Sequence, residues 1–198
     1  MVRVIAGAAR GRKLKTLDSE NTKPTLDRVK EAMFSMIMPY IQGEKVFDAF
    51  AGNGSLGIEA LSRGADFCYF NDKSPACCKI VQENLDTVGF SKKAEVFCND
   101  FTAAANTLAN RGETVGLVLL DPPYRQGLIE KMLTAPSLEK ICRRDPGAEF
   151  PPKPATVVCE HSADDVLEDA YGKFVRTKTR RYGTVCVSVY QFYGSESL

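Results

Sequence analysis

The chain has one histidine, His161, and no two cysteines in a CxxC spacing. Its seven cysteines stand at 68, 77, 78, 98, 142, 159 and 186, an odd number with two of them adjacent. A single imidazole with scattered thiols is a poor ligand set for a metal, and the odd count is a poor disulfide framework. The expectation is therefore no metal site, and cysteines packed as small hydrophobes in a reducing cytoplasm. No apolar run reaches the roughly 18 residues of a membrane span, and the N-terminus lacks a signal-peptide pattern. A soluble, cytoplasmic protein with no membrane partner is expected. There is no internal repeat and no long low-complexity tract.

What is present is ordinary in bulk and uneven in detail. At 198 residues, 44% hydrophobic and 26% charged, the chain has the composition of one globular domain able to bury a sizeable core. Its net charge of +1 conceals two basic stretches. Residues 1–16 carry Arg3, Arg10, Arg12, Lys13 and Lys15 and no acid, and residues 173–182 carry Lys173, Arg176, Lys178, Arg180 and Arg181 and no acid. These clusters could be solvated loops. Their company of aromatics, and of glycines that suggest a flexible arm, fits a polyanion-binding surface better.

Strand and helix patterns alternate along the chain. A short basic strand or hairpin is expected over 2–16, then a helix from about Thr25 with Val29, Ala32, Met33, Met36 and Ile37 at helical spacing. Strands follow at 45–50, 67–71, 94–99, 115–120 and 155–160, with helices at 55–62, from Pro75 to Val88, at 101–109 and around 128–133. Two strands joined near Tyr182-Gly183 close the chain. This alternation argues for an α/β, Rossmann-like, doubly wound and mostly parallel seven-stranded sheet with an antiparallel C-terminal hairpin. Residues 1–24 read as a basic arm and 25–198 as the main domain. The segment 143–154, with four prolines, reads as a loop.

"FDAFAGNGSLGIEA" sets Gly52, Gly54 and Gly57 in a G-x-G-x-x-G spacing between a strand and a helix, and Asp72 follows Gly52 by twenty residues. That pattern fits a dinucleotide site, or tight packing without a ligand. Asp48 separates the cofactor candidates. Its carboxylate is expected in the mouth of the loop, where a pyrophosphate would be repelled by up to about 4 kcal/mol at ~4 Å and an effective dielectric of ~20. The ammonium and sulfonium of S-adenosylmethionine would be attracted instead. Asp100 could accept from an adenine amine or cap the following helix, and Phe101 could lie against the ring.

"LLDPPY" ends a buried strand in Asp121-Pro122-Pro123-Tyr124. Prolines lack N–H groups and have fixed φ, so the turn is rigid and offers only acceptors. Such a pocket suits an exocyclic amine, and Tyr124 supplies a face on which a base could stack, worth about 1–3 kcal/mol. A base in folded RNA would have to be flipped out to reach it. The turn does not distinguish a guanine from an adenine amine. His161, beside Glu160, reads as a hydrogen-bonded structural histidine.

"DAFAGNGSLGIEALSRGA" with "DPPY" resembles S-adenosylmethionine-dependent amino-methyltransferases. "RVIAGAARGRKLKT", "TKPTLDRVKEAMFSMI" and "RRYGTVCVSVY" extend the likeness over almost the whole chain, to the bacterial 16S ribosomal RNA guanine-N2 methyltransferases of the RsmD type. The resemblance implies a Rossmann-like sheet and methylation of one guanine 2-amino group near the decoding region of small-subunit RNA. It implies cofactor contacts from Asp48, Phe50, Ala51, Gly52, Gly54, Asp72, Lys73, Asp100 and Phe101, and catalytic roles for Asp121, Pro122 and Tyr124. RNA contacts are expected from Arg3, Arg10, Arg12, Lys13, Arg28 and Arg180, in a monomer acting on 16S rRNA or a small-subunit assembly intermediate. Lys23 stands where the family usually has arginine, which keeps the charge and loses the bidentate fork. The competing readings are an adenine-amine (N6) methyltransferase on DNA or RNA, a nicotinamide-dependent dehydrogenase, and a non-enzymatic RNA-binding module.

Overall fold

Alternate residues of the strand Leu117–Leu120 feed opposite cores: Leu117 and Leu119 pack to one side of a sheet, Val118 and Leu120 to the other. Every residue of it is buried, as a strand covered by helices on both faces requires. The computed structural model to which it belongs describes residues 2–17, 24–142 and 154–194. In chain order its elements are β1 (Val2–Arg3), β2 (Lys13–Leu14), α1 (Pro24–Ile37), β3 (Lys45–Asp48), α2 (Ser55–Ser62), β4 (Phe67–Asn71), α3 (Pro75–Val88) and β5 (Ala94–Phe97). There follow α4 (Phe101–Asn110), β6 (Leu117–Leu120), α5 (Leu128–Leu133), α6 (Pro136–Cys142), β7 (Thr156–Ser162), β8 (Ala170–Tyr171), β9 (Phe174–Tyr182) and β10 (Val185–Phe192).

The main sheet runs β5-β4-β3-β6-β7-β10-β9-β8. Strands β3 to β7 are parallel, and β10 inserts antiparallel between β7 and β9. The seven expected strands are all present, and the two-residue β8 adds an eighth at the edge. Helices α1, α2 and α3 cover one face and α4, α5 and α6 the other. The α3 boundaries follow from its ends: the Ser74 hydroxyl accepts the Cys77 N–H, Pro75 takes the first position, and Gly89 terminates it with φ of 81°. The expected strands at 45–50 and 94–99 end two residues earlier, at Asp48 and Phe97, because the chain leaves the sheet there to build loops.

Two expectations are corrected. The N-terminal arm is docked, with Val4, Ala9 and Leu14 in the same core as α1 and α2. The cysteines are not uniformly buried: Cys68, Cys142, Cys159 and Cys186 are, whereas Cys77 and Cys78 are half-buried and Cys98 is exposed. No helix among the described residues is long and apolar enough to cross a membrane. Thr22, Lys23 and residues 143–153 of the proline-rich segment lie outside the described residues.

The strand order reverses between β3 and β6, which are neighbours with Asp48 opposite Leu119. The loops leaving these two strands diverge and open a crevice at the carboxyl edge, the usual place for a ligand in an open α/β sheet.

Candidate functional site

That crevice is a cavity of about 770 Å³. One half is walled by Phe50, Ala51 and Gly52 after β3, by Asp72 and Lys73 after β4, and by Asp100 and Phe101 after β5. The other is walled by Asp121, Pro122, Pro123 and Tyr124 after β6 and by Glu160 of β7. The structure thus brings the glycine loop and the Asp-Pro-Pro-Tyr turn, seventy residues apart in sequence, into one space.

The glycine loop is held by carboxylates. Asp72 accepts the Gly52 N–H through Oδ2 and the Ser74 N–H through Oδ1, both at 2.9 Å, so it ties the loop to the start of α3. Gly57 is the position where close approach demands glycine, since a Cβ there would lie 2.2 Å from the Phe70 ring. Asp48 is placed differently from expectation. It has no exposed surface and does not line the cavity; its Oδ2 accepts the Gly57 N–H at 2.9 Å from beneath the loop. Burial raises its carboxyl to about 7, with the nearby Asp72 charge adding to the rise and the Gly57 N–H opposing it. Gly54 likewise lies behind the wall, as the left-handed residue before α2.

Asn71 was not anticipated. Its amide nitrogen donates to the Ala49 and Asn99 carbonyls at 3.1 and 3.2 Å, which turns Oδ1 away from both. That oxygen is buried, lacks a hydrogen-bond partner among the described residues, and belongs to a side chain lining the cavity. Asp100 caps α4 through the Thr102 N–H at 2.9 Å and also accepts the Thr102 hydroxyl, contacts that hold its carboxyl below the usual range. Phe101 packs against Phe50 with ring centroids 4.9 Å apart.

These residues fit a cationic, phosphate-free cofactor. The wall is rich in acceptors (Asp72, Asp100, Asp121, Glu160 and the orphan Asn71 oxygen). Of its two basic side chains, Lys30 is committed to the Arg3 carbonyl at 2.8 Å and to Glu59 at 3.6 Å, leaving Lys73. A pyrophosphate would meet repulsion here, and an ammonium or sulfonium would be welcomed.

In the second half, the Tyr124 hydroxyl donates to Glu160 Oε1 at 2.7 Å. Burial raises the Tyr124 phenol, and the Glu160 charge adds to that. Burial also raises the Glu160 carboxyl, while the Tyr124 hydroxyl opposes the rise. Tyr124 as a residue remains 40% exposed and lines the cavity. His161 Nδ1 faces the Ser162 carbonyl at 2.9 Å and must donate to it. Its Nε2 is therefore the acceptor of the neutral ring, taking the Ser188 hydroxyl proton at 2.8 Å. The histidine is buried, with both ring nitrogens hydrogen-bonded.

The candidate RNA-binding side chains Arg3, Arg10, Lys13 and Arg28 are exposed, as is Arg180 on β9, and none lines the cavity. Arg12 is exposed too, but its guanidinium donates to the Thr87 carbonyl at 2.5 Å, near the C-terminal end of α3, where a cation is favoured. The arm's docking rests on buried Glu59 of α2, which accepts the Ile5 and Ala6 N–H groups at 2.8 and 3.0 Å and the Arg63 Nε–H at 2.8 Å. Asn84 of α3 adds a second clamp, bonding both backbone groups of Lys15 and the Asn53 carbonyl. Glu59, Lys30 and Asn84 escaped the sequence reading because each is a polar residue on an otherwise apolar helix face, with a partner distant in sequence.

The comparisons with known proteins agree with this geometry. A family profile described as conserved hypothetical protein 95 matches residues 2–191. The YlbH protein of Bacillus subtilis is 36% identical over 193 residues, covering 98% of this chain and 100% of that one. Ribosomal RNA small subunit methyltransferase D of Haemophilus influenzae is 39% identical over 133 residues, 67% of this chain and 69% of that one. Among solved structures, the YhhF protein of Escherichia coli superposes with a TM-score of 0.78 at 30% identity, covering 98% and 99% of the two chains. The chain therefore belongs to the RsmD-type methyltransferase family.

Proposed function

We propose that the protein transfers a methyl group from S-adenosylmethionine to the exocyclic 2-amino group of a guanine in 16S ribosomal RNA, free or in a small-subunit assembly intermediate. The observation that carries this reading is the shared cavity. An acceptor-rich, phosphate-averse half after β3, β4 and β5 meets a rigid Asp-Pro-Pro-Tyr turn after β6. The name of the Haemophilus relative supports ribosomal RNA as the substrate class.

The cofactor supplies an electrophilic methyl group when bound. Asp72 would accept from its ribose and Asp100 from its adenine amine, Phe101, packed on Phe50, would lie against the adenine ring, and Ala51, Gly52 and Lys73 would complete the wall. Asp48 and Gly54 act indirectly, Asp48 by holding the loop from beneath. On the substrate side the Asp121 carboxylate and the Pro122 carbonyl accept the two amine hydrogens. That orients the amine and concentrates its lone pair toward the electrophile; positioning of this kind lowers barriers by several kcal/mol, about 7–11 in the best intramolecular cases. Tyr124 stacks on the flipped base. The proton released after transfer passes to Asp121 or to water. Arg3, Arg10, Lys13, Arg28 and Arg180 contact phosphates, and Arg12 contributes from its anchored position.

Nucleoside mass spectrometry of small-subunit RNA from cells with and without the gene tests this. The expected outcome is loss of one N2-methylguanosine per RNA in the deletion strain. An unchanged N2-methylguanosine content overturns the guanine assignment.

A further inference from the structure

Glu160 stands one residue beyond Cys159, and Asp121 one residue beyond Leu120; Leu120 and Cys159 are register partners on the neighbouring strands β6 and β7. The two carboxylates are thus delivered side by side to the carboxyl edge of the sheet, and both line the cavity. Both also lie close enough to Tyr124 to act on its phenol. Glu160 is only 6% exposed, and its carboxylate accepts the Tyr124 hydroxyl proton. That contact uses Oε1. A carboxylate oxygen has two lone pairs, so Glu160 keeps acceptor capacity facing the space beside Asp121. The Tyr124 hydroxyl hydrogen is already committed, so it adds no donor here.

The edge of the base that would enter this space differs between the two candidate amines. In guanine the 2-amino group is flanked by N1–H, a donor. In adenine the 6-amino group is flanked by N1 carrying a lone pair, an acceptor. Two adjacent acceptors, Asp121 for the amine and Glu160 beside it, match a donor-donor edge and oppose a donor-acceptor one.

We propose that Glu160 selects guanine by accepting the N1–H of the target base, with Tyr124 as the positioning residue that holds the Glu160 carboxylate. The proposal rests on the guanine reading above and adds the residue that the Asp-Pro-Pro-Tyr turn by itself does not supply. It also gives Tyr124 a second task beside stacking: its hydroxyl fixes the discriminating carboxylate while its ring faces the base.

The test replaces one atom pattern in the substrate. The guanosine methylated by the wild-type enzyme is first mapped in small-subunit RNA. That RNA is then made by splint ligation with guanine or 2-aminopurine at the mapped position, reconstituted with ribosomal proteins, and assayed with the full-length enzyme. 2-Aminopurine keeps the 2-amino group and has a lone pair at N1 in place of N1–H. A site built to accept an N–H rejects such an analogue strongly, so the wild type should favour guanine by at least about 100-fold in kcat/KM. Equal kcat/KM for the two bases overturns the proposal without any variant.

Glu160→Gln presents an amide N–H to that lone pair, and comparing its ratio with the wild-type ratio cancels the intrinsic reactivity of the two amines. Its guanine preference should fall at least about tenfold, with kcat/KM rising on 2-aminopurine. An unchanged preference, both substrates falling together, overturns the proposal and leaves Glu160 as a support for Tyr124. Tyr124→Phe should lower turnover and weaken the preference only partly, because the carboxylate remains; a preference abolished there but intact in Glu160→Gln would also overturn it. Failure of the wild type to place any methyl group on a guanine 2-amine is seen at the mapping step, and defeats the earlier reading together with this one.

Discussion

Asp48 is a carboxylate with no exposed surface, yet it holds the glycine loop through the Gly57 N–H. Its carboxyl is raised from the ordinary 3.8 to about 7, so the folded protein binds this proton more tightly than the unfolded chain does. The stability this confers is fully present below about pH 4 and is lost as pH rises toward and through 7. Asp48→Asn removes the titration and keeps an oxygen for the Gly57 N–H. The unfolding free energy of the variant relative to wild type should therefore rise between pH 5 and pH 9, by up to about 3 kcal/mol in the variant's favour. Chemical denaturation at several pH values measures this, and a pH-independent difference would show that Asp48 is ionised throughout. At this scale the sequence marked the acids by their spacing from the glycines. It did not reveal that Asp48 lies under the loop rather than in its mouth, because side-chain direction at a strand end depends on how the next helix packs. His161 was legible as hydrogen-bonded, whereas Asn71 and Glu160 were not legible as cavity residues.

The arm and α2 form a unit whose logic is polar contact inside an apolar core. Glu59 takes two arm N–H groups, and the Ser62 hydroxyl accepts the Ala9 N–H and donates to the Ala6 carbonyl. Gly7 lies between them at φ of 82°, and a Cβ there would stand 1.8 Å from the Ser62 carbonyl oxygen. Gly7→Ala cannot be accommodated without lifting the arm, at an expected loss of about 1–3 kcal/mol in stability. Hydrogen exchange should show amide protection at Ile5, Ala6 and Ala9 falling at least about tenfold, and by a larger factor than in β6. Unchanged protection would mean that the arm is held elsewhere. The bounds of α2 and α3 were read correctly, those of α3 because Ser74, Pro75 and Gly89 act locally. Docking of the arm was not read, because its partners lie more than fifty residues away in the chain.

Across the whole molecule, charge is segregated. Acids gather at the carboxyl edge of the sheet, and exposed basic side chains stand on the arm and on β9. Along most of its length β9 is also a sheet edge, since β8 pairs only with its first two residues. Lysine and arginine there discourage edge-to-edge association as well as offering phosphate contacts. The two roles separate by salt dependence. Replacing Arg10, Lys13 and Arg180 by glutamine should flatten the plot of log affinity for small-subunit RNA against log salt by about 0.7–0.9 per lost phosphate contact, up to about 3 in all. A filter-binding titration across salt concentrations reads the slope, and an unchanged slope returns these residues to the role of solvated edge guards.

Apart from α6 and β8, the sequence by itself determined the order of strands and helices, with the glycine loop, the rigid acceptor turn and the family, because each is written in short-range spacing, caps and proline chemistry. Tertiary structure alone decided which of these meet. The reversal of strand order between β3 and β6 opens the crevice, and the parallel register of β6 and β7 sets Glu160 beside Asp121. "LLDPPY" supplies half of a base pocket. The other half comes from a strand thirty-six residues further on, and only pairing across the sheet brings the two together.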